Sequence, residues 1–312
     1  MTVAGGLLGA VLVAAVAGTP VFAFDDPEIS ESSGLVDLGA LMVTTNDSGG
    51  GPLVYVVDKA GRTVGRTTYT DEVVDVEALA PAGPDEVWVG DIGDNREARS
   101  RVQVYRVPVG RGDRTVAAPS YDLVYPDGPH DAESLLYGPD GRLRIVTKGI
   151  IGGQVYVAPK KLDPDRPNRL RAGPDVSLWA TDAALFPDGK HVIVRGYGSA
   201  MVARFPSFEP LGMFGLPNQE QGEGISVGSS GRIRVSSEGV HSRVLQVRLP
   251  AEIRAKLADR PESSPGQDAT PATGHDDAVS LTERWALPVV GGVLLGGAIL
   301  TGVLGWLIRR RH

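Results

Sequence analysis

Short apolar runs separated by glycine, proline and aspartate turns fill the chain from about residue 24 to 250. Runs such as "GPLVYVVD" and "RVQVYRVP" are rich in Val and Tyr, which is typical of β-strands. The segment "PAEIRAKLADR", after the last run, has instead the composition of a short helix. The pattern predicts an all-β body over residues 24–250.

One phrase recurs five times along this body. Each copy has an acid, a short apolar strand, a turn, a Val/Ile-rich strand and a polar loop, and the copies carry Glu31, Glu77, Glu133, Asp182 and Glu223. Their spacing of 41 to 56 residues is that of a four-stranded β-propeller blade. We therefore predict a five-bladed β-propeller. A six-bladed ring is the alternative, if a weaker repeat lies within 97–130 or 155–180.

The fourth strand of each blade is weaker than the first three. The segments "RTVGRTTY", "SYDLVYP", "VSLWA" and "PLGMFG" fit fourth strands in the first four blades, and the fifth blade has no obvious one. We expect "FAFDDPEIS", ahead of the first blade, to complete the fifth blade. Closure of this kind removes exposed strand edges.

Both ends of the chain are apolar. Residues 1–23 end at Val21-Phe22-Ala23 and predict a secretory signal peptide, with an uncleaved N-terminal anchor as the alternative. Near the other end, the uncharged run from Ala286 to Ile308 is long enough to cross roughly 30 Å of hydrocarbon as a helix. Three arginines follow it, as on the cytoplasmic side of a membrane span.

The residues between body and span are polar and rich in Pro, Ser and Thr, which is typical of a disordered stalk. The predicted organisation is a signal peptide (1–23), a propeller ectodomain (24–250), a stalk (251–284), a transmembrane helix (285–308) and a cytoplasmic tail (309–312). This predicts a single-pass protein of the cell membrane whose ectodomain lies outside the cytoplasm.

Composition excludes several classes of function. The net charge of −7 argues against nucleic acid as the main partner, and the absence of cysteine excludes disulfides and thiol chemistry. The sequence holds no G-x-S-x-G, P-loop or H-E-x-x-H motif. His130 could act as a general base near the recurring acids, or be a solvated loop histidine. Whether the protein is an enzyme stays open.

The recurring acids start the strand that lines the central channel of a propeller. Packing of the blades would bring them into one small ring, where carboxylates repel unless they are protonated or neutralised. A hard divalent cation that prefers oxygen ligands, calcium above all, would relieve this repulsion. Each acid alone could instead cap a turn.

The phrases "VEALA", "AESLL" and Glu223-Gly224-Ile225 resemble those of calcium-activated nucleotidases (apyrases), five-bladed propellers with calcium on the axis. The resemblance implies calcium ligands at Ser33, Glu77, Glu133, Asp182 and Glu223, with Glu31 and Thr181 as competing positions. It does not reach the nucleotide-handling segments, so nucleotide hydrolysis is not implied. "WVGDIGDNREAR" is also similar to a phrase of secreted actinobacterial propellers of undefined substrate.

A second polar set follows the second strands of the copies. It comprises Asn46, Asp47, Asp91, Asp94, Asn95, Lys148 and Arg195. If first strands enter the channel at one face and second strands leave at the other, this set should surround the opposite mouth. Mixed carboxylates, amides and cations suit a small polar or anionic ligand there. Type I turns explain residues such as Asn46 and Asp47 equally well.

The sequence therefore predicts a membrane-anchored extracellular propeller with a central calcium site. We expect it to bind a small polar ligand or another surface protein, and not nucleic acid. A calcium-dependent hydrolase of phosphate or other esters is the alternative.

Overall fold

The computed structural model describes residues 15–47, 49–70, 72–149 and 152–258. Within these ranges the chain forms five sheets, built mainly of antiparallel strands, and one short helix, so the all-β prediction is confirmed. The first part of the predicted signal peptide, most of the stalk, the transmembrane helix and the tail lie outside them. Among the residues described, no helix combines the length and apolar character needed to cross a bilayer.

Each sheet is one blade, with its strands ordered from the channel outwards. Numbered along the chain, the strands of blade 1 are β2 (Ser32–Asp37), β3 (Met42–Asn46), β4 (Leu53–Val57) and β5 (Thr63–Thr68), and those of blade 2 are β6 (Val76–Pro81), β7 (Glu86–Asp91), β8 (Val102–Pro108) and β10 (Ser120–Val124). Blade 3 contains β11 (Ala132–Tyr137), β12 (Leu143–Thr147), β13 (Gly153–Val157) and β15 (Arg171–Val176).

The last two blades complete the ring. Blade 4 contains β16 (Asp182–Leu185), β17 (His191–Arg195), β18 (Ser199–Arg204) and β19 (Pro210–Gly215), and blade 5 contains β20 (Ile225–Val227), β21 (Ile233–Val235), β22 (Arg243–Val247) and the N-terminal β1 (Gly18–Ala23). The first strands of neighbouring blades contact one another in the cyclic order β2, β6, β11, β16, β20 and back to β2. They surround one channel, whose apolar end is lined by Leu35, Leu79, Leu136, Leu185 and Val227.

The two ranges that could have hidden a sixth blade belong to the five sheets. Strand β10 lies in the first range, and β9 (Arg114–Thr115) adds a short parallel strand to the edge of blade 1. In the second range β14 (Asn168–Arg169) does the same for blade 2, and β15 completes blade 3. These short strands tie blade 2 to blade 1 and blade 3 to blade 2, and the six-bladed alternative is wrong.

The fifth blade is closed by the N-terminal segment, as expected, but by an earlier part of it. Gly18 to Ala23 pair antiparallel with β22, whereas the residues after Phe24 form a loop. The predicted segment "FAFDDPEIS" thus shares only Phe22 and Ala23 with the strand. Strand β1 also falls inside the range predicted as a signal peptide.

The hydrophobic core lies between the facing surfaces of neighbouring blades. Between blades 1 and 2, for example, Val43 and Val56 pack with Val87, Val89 and Tyr105, all buried. Burying one such side chain is worth about 1.5–3 kcal/mol relative to leaving it in water. The alternation of strand side chains gives each blade two apolar faces, so the ring is held by five interfaces of this kind.

A short helix, α1 (Ala251–Ala258), follows the last strand and occupies the first residues of the range assigned to the stalk. Ile253 is buried against Gly212 of β19, where a Cβ would come within 2.8 Å of Ile253 Cγ1. The Lys256 ammonium donates to the Leu211 carbonyl at 2.6 Å. The helix therefore belongs to the folded body. It lies in the segment "PAEIRAKLADR", whose composition predicts a short helix.

Candidate metal centre

The first strand of a blade starts at the same mouth of the channel at which the second strand ends. Ala132 at the start of β11 pairs with Thr147 at the end of β12, and Asp182 at the start of β16 pairs with Arg195 at the end of β17. The expectation that the second polar set surrounds the opposite mouth is therefore wrong, because antiparallel neighbours run in opposite directions. The recurring acids and the polar set share one mouth, which we name the acid mouth.

Two of the acids occupy β-bulges. Glu77 is the extra residue between Val76 and Ala78 in the pairing of β6 with β7, and Glu133 is the extra residue at the same place in β11. A bulge leaves its extra residue out of the ladder and redirects its side chain. Glu77 and Glu133 are thus turned out of their sheets by the same irregularity.

Glu77, Glu133 and Glu223, from blades 2, 3 and 5, are 4%, 4% and 6% exposed. Burial raises the pKa of Glu77 and Glu133 well above the usual range, and the charge of Glu133 beside Glu77, and of Glu223 beside Glu133, raises each further. Burial raises the pKa of Glu223 to about 8, against the opposing effect of Lys148. The structure therefore brings three of the predicted ligands into one buried, mutually repelling group.

The carboxylates of this group are incompletely hydrogen-bonded. Oε1 of Glu133 accepts a hydrogen bond from the Lys148 ammonium, but Oε2 of Glu133 and Oε2 of Glu223 are buried and receive none from the described residues. A buried acceptor left without a donor costs about 1–3 kcal/mol. A cation or water at these oxygens would remove that cost.

Ser33 lies beside Glu77 at the boundary of blades 1 and 2. Its hydroxyl donates to the Glu77 carbonyl at 2.6 Å, and its Oγ is 3.4 Å from Glu77 Oε2. The neighbouring Gly34 has φ +59°, and a Cβ there would lie 2.7 Å from the Leu79 backbone nitrogen. The glycine therefore allows β2 to approach β6 closely enough for this contact.

Asp182 has a different role from the three glutamates. It stands in the regular ladder opposite Arg195, with no bulge to redirect it. Its two carboxylate oxygens accept the Ala183 amide at 2.8 Å and the Ile225 amide of blade 5 at 2.7 Å. Burial raises its pKa well above the usual range. Asp182 joins blades 4 and 5, and so does Thr181, whose hydroxyl lies 3.2 Å from the Glu223 carbonyl.

Asp75 is the member of the acid mouth that the sequence reasoning missed. One carboxylate oxygen from each of Asp47, Asp75 and Glu77 lies within 4.8 Å of the other two. Burial, together with the charge of Asp47, raises the pKa of Asp75 to about 6. Asp75 lies two residues before Glu77 and immediately ahead of β6, so one short segment carries both carboxylates to the acid mouth. The "DVE" spacing could have identified it.

Most of the second polar set makes structural contacts. Arg195 is fully buried, with its guanidinium donating to the carbonyls of Gly224 at 2.5 Å and Ser236 at 2.7 Å. Burial lowers its pKa to about 10. Arg195 therefore fastens blade 4 to blade 5 and does not offer its charge to a ligand at an open mouth.

The other members divide between structural and accessible positions. The Asn46 amide donates to the Glu28 carbonyl at 2.6 Å, and the buried Asp91 carboxylate accepts the Asp75 amide at 2.8 Å. Asp94 is buried and accepts the Arg99 amide at 2.7 Å, whereas Asn95 is exposed. Within the set, Asp47, Lys148 and Arg195 interact electrostatically with the buried glutamates.

His130 belongs to a separate cluster between blades 2 and 3. Its Nε2 lies 3.1 Å from Asp127 Oδ1 and 2.8 Å from the hydroxyl of the buried Tyr156. The Tyr156 hydroxyl donates to Asp127 Oδ2 at 2.7 Å. These contacts account for His130 without a role at the acid mouth.

The donor set of the acid mouth suits a hard cation. Its members Asp47, Asp75, Glu77, Glu133 and Glu223 supply carboxylate oxygens, which are the ligands that calcium and magnesium prefer. Two cations compensate part of this charge, since Lys148 pairs with Glu133 and Arg99, which pairs with Asp91 at 2.8 Å, also lowers the pKa of Asp75. The residues present therefore fit the group that the apyrase resemblance implies.

Fold and site define the class of protein: an all-β five-bladed propeller with a buried acid cluster at one mouth of its channel. No protein-family model matches the sequence, and no curated protein matches it. Among solved structures, the chain is similar to the WD40 β-propeller domain of Doa1, with TM-score 0.44 and 8% identity. The match covers 76% of this chain and 99% of that one.

Proposed function

We propose that the propeller is a binding module whose acid mouth takes up a divalent cation, with calcium the preferred ion. The observation that carries the proposal is the burial of Glu77, Glu133 and Glu223 against one another, with free acceptor oxygens on two of them. Mutual repulsion of buried carboxylates destabilises the fold unless a cation or protons compensate it. A bound cation would remove the repulsion and supply the missing partners.

Calcium is preferred over a transition metal because the donors are oxygens. Calcium accepts six to eight oxygen ligands in flexible geometry, whereas zinc and copper favour nitrogen and sulfur. The Ser33 hydroxyl, 3.4 Å from Glu77 Oε2, is a further oxygen within reach of the cluster. The sequence-based ligand set of Ser33, Glu77, Glu133, Asp182 and Glu223 overlaps with this cluster in Glu77, Glu133 and Glu223.

In this proposal the propeller stands outside the cell on the polar stalk and is held to the membrane by residues 285–308. Its acid mouth then serves as the site for a small polar ligand or another surface protein, oriented by the bound cation. Membrane fractionation of cells expressing the full chain, with protease added to intact cells, tests this arrangement. A chain recovered from the soluble fraction would contradict it.

A calcium-dependent hydrolase of phosphate or other esters is the second candidate function. Glu223 favours it, because a carboxyl group whose pKa is raised to about 8 can give or take a proton near neutral pH. A panel of phosphoesters and carboxyl esters, assayed with calcium and with chelator, separates the two functions. A chelator-sensitive activity that Glu223→Gln abolishes would identify the hydrolase, and a clean negative leaves the binding module.

The cation itself is tested by thermal unfolding of the full chain across a calcium titration. Saturation at 100 times the Kd contributes about 2.7 kcal/mol. For a domain of this size, that gain raises the melting temperature by about 5–11 °C. Excess chelator should reverse the shift, and Glu77→Gln should abolish most of it. An unchanged melting temperature, with no metal found by elemental analysis, would overturn the proposal.

A further inference from the structure

Two aromatic side chains stand beside the buried glutamates at the acid mouth. Trp179 follows the last strand of blade 3, Tyr197 follows β17 of blade 4, and both are half-buried. Their rings meet edge to face, with centroids 5.7 Å apart. Lys148 joins them to the acids, because its Nζ contacts Glu133 and lies 5.9 Å and 5.4 Å from the Trp179 and Tyr197 ring centroids. We call Lys148, Trp179 and Tyr197 the aromatic corner.

The aromatic corner carries hydrogen-bond donors that the fold does not use. The Lys148 ammonium donates to Glu133 Oε1 and to the Tyr197 hydroxyl at 3.1 Å, and its third N–H has no acceptor among the described residues. An ammonium cannot accept, so the Tyr197 oxygen is the acceptor and its own O–H hydrogen stays available. The Trp179 indole N–H also finds no acceptor within the described part of the chain. Donors therefore remain for a molecule bound at the mouth.

Acceptors without partners lie beside these donors. Oε2 of Glu133 and Oε2 of Glu223 are buried and receive no hydrogen bond from the residues that the structure describes. Glu133 is tied to the aromatic corner through its other oxygen, and Glu223 interacts electrostatically with Lys148 and Tyr197. A bound molecule would thus meet donors, acceptors and two aromatic rings in one place.

The charge of the acid mouth argues against an anionic molecule. Each of its five carboxylates can carry one negative charge. Lys148 and one divalent cation supply fewer positive charges than these carboxylates can carry. The guanidiniums nearby face further acids, since Arg99 pairs with Asp91 and Arg195 lies beside Asp182. No excess positive charge is left for a phosphate or a carboxylate, so electrostatics favours a neutral ligand.

We propose that the ligand of the acid mouth is a neutral saccharide, held between the proposed cation and the aromatic corner. A sugar ring is polar at its hydroxyls and apolar at the C–H bonds of its faces, which matches aromatic side chains with a polar edge. Its hydroxyls can accept from the corner, and they can coordinate the cation or donate to the oxygens of Glu133 and Glu223. This inference rests on the proposed function and names its ligand class.

Binding of the labelled full chain to an oligosaccharide array, in saturating calcium, tests the ligand class. The array carries neutral oligosaccharides of glucose, galactose, mannose and N-acetylglucosamine, with glucose 6-phosphate and glucuronate as anionic counterparts. We expect binding to the neutral probes and none to the anionic ones. Calorimetric titration with the strongest neutral binder then gives its affinity for wild type and variants.

Two substitutions test the aromatic corner. Tyr197→Phe removes only the hydroxyl and should weaken saccharide binding about three- to tenfold, the effect of one lost hydrogen bond. Trp179→Ala removes the ring and its N–H and should weaken binding at least about tenfold. Tyr137→Phe, at the apolar end of the channel, is the matched control and should stay within about twofold of wild type.

Calcium titration of the same variants separates a lost ligand contact from a lost fold. Tyr197→Phe and Trp179→Ala should bind Ca²⁺ within about threefold of wild type, because neither side chain supplies a carboxylate to the cation. If Trp179→Ala fails to fold, Tyr197→Phe, which keeps the ring and its packing, still decides the outcome.

The outcomes separate this inference from the proposed function. Saccharide binding that falls in the corner variants, with calcium binding retained, supports the inference. A wild-type chain that binds Ca²⁺ but no neutral saccharide, or that prefers the anionic probes, overturns the inference and leaves the cation in place. Saccharide binding that neither substitution changes also overturns it. Saccharide binding that depends on the corner in a chain that binds no Ca²⁺ overturns the proposed cation and keeps the saccharide site.

Discussion

Lys148 and Glu133 form a buried ion pair across the end of blade 3, with the ammonium donating to Glu133 Oε1. Burial alone would lower the pKa of Lys148, but the adjacent Glu133 carboxylate raises it, so the lysine stays charged. Its Nζ also lies 3.1 Å from the Tyr197 hydroxyl and 5.9 Å from the Trp179 ring centroid. The Lys148 ammonium of blade 3 therefore lies close to Tyr197 and Trp179, two aromatic residues that follow blade 3 in the chain.

Lys148→Met should destabilise the protein markedly. Removing one partner leaves the Glu133 carboxylate buried without a counter-charge, which costs roughly 3–5 kcal/mol. Urea unfolding in calcium-free buffer measures the loss, with the exposed Lys161→Met as matched control, expected within about 0.5 kcal/mol of wild type. Adding Glu133→Gln to Lys148→Met should restore part of the stability. A Lys148→Met protein as stable as the control would show that the pair contributes little.

Asp182→Asn should weaken the junction between blades 4 and 5. The aspartate accepts the Ala183 and Ile225 amides, and an asparagine offers one oxygen and one NH2 group in their place. One buried amide then loses its acceptor and Arg195 loses a nearby negative charge, so the free energy of unfolding should fall by about 2–4 kcal/mol. The exposed Asp165→Asn is the control. If Asp182 serves mainly as a metal ligand, its effect should instead vanish in chelator.

The repeated phrase was sufficient to predict the blades because a propeller is built from copies of one local unit, and each copy is visible in the sequence. The acid, turn and Val-rich strand recur with one period, and the first strands they predict form a closed ring. The strand that closes blade 5 was predicted a few residues too late, since "GTPVFA" reads equally well as the end of an apolar leader. Composition alone does not distinguish an edge strand from a leader.

The acid mouth was only partly predictable. The recurring phrase predicts one ring of five acids, and of these Glu77, Glu133 and Glu223 are buried and interact electrostatically. Asp182 has a different role because its strand contains no β-bulge at this position. The residue types in the sequence do not show which copies of the phrase contain a bulge. Asp75 was missed because it precedes the strand and does not recur in every copy, although its two-residue spacing from Glu77 was available.

In calcium-free buffer, the protein should lose stability as the pH rises from about 5 to 8. Burial raises the pKa of Asp75 to about 6 and that of Glu223 to about 8, above their unfolded values of 3.8 and 4.5. Between its unfolded and folded pKa, each group holds more protons in the folded state. The free energy of unfolding therefore falls with increasing pH.

Urea unfolding at several pH values, with chelator and with saturating calcium, checks this prediction. Calcium requires deprotonated ligands, so its stabilising effect should be larger at pH 8 than at pH 5. Glu223→Gln should flatten the part of the calcium-free curve above pH 6. A calcium-free protein that gains stability between pH 5 and 8 would contradict the raised pKa values.

A chain that begins at Phe24 should be less stable than one that begins at Val16. The shorter chain lacks β1 and so leaves the edge of β22 without a partner in the ring. It also loses Phe22, whose ring contacts that of Phe24 with centroids 5.7 Å apart. We expect a melting temperature lower by at least about 5 °C, since 1 kcal/mol corresponds to about 2–4 °C in a domain of this size.

The same comparison decides between two interpretations of residues 18–23. Cleavage of a signal peptide after Ala23 would remove the whole of β1, whereas an uncleaved anchor or an earlier cleavage would keep it. An open strand edge also invites pairing between chains, so the shorter chain should show dimers or larger species by size-exclusion chromatography. If it is instead monomeric and as stable as the longer chain, β1 is dispensable and cleavage after Ala23 is compatible with the fold. Mass spectrometry of the N-terminus of the protein purified from its host then identifies which form the cell makes.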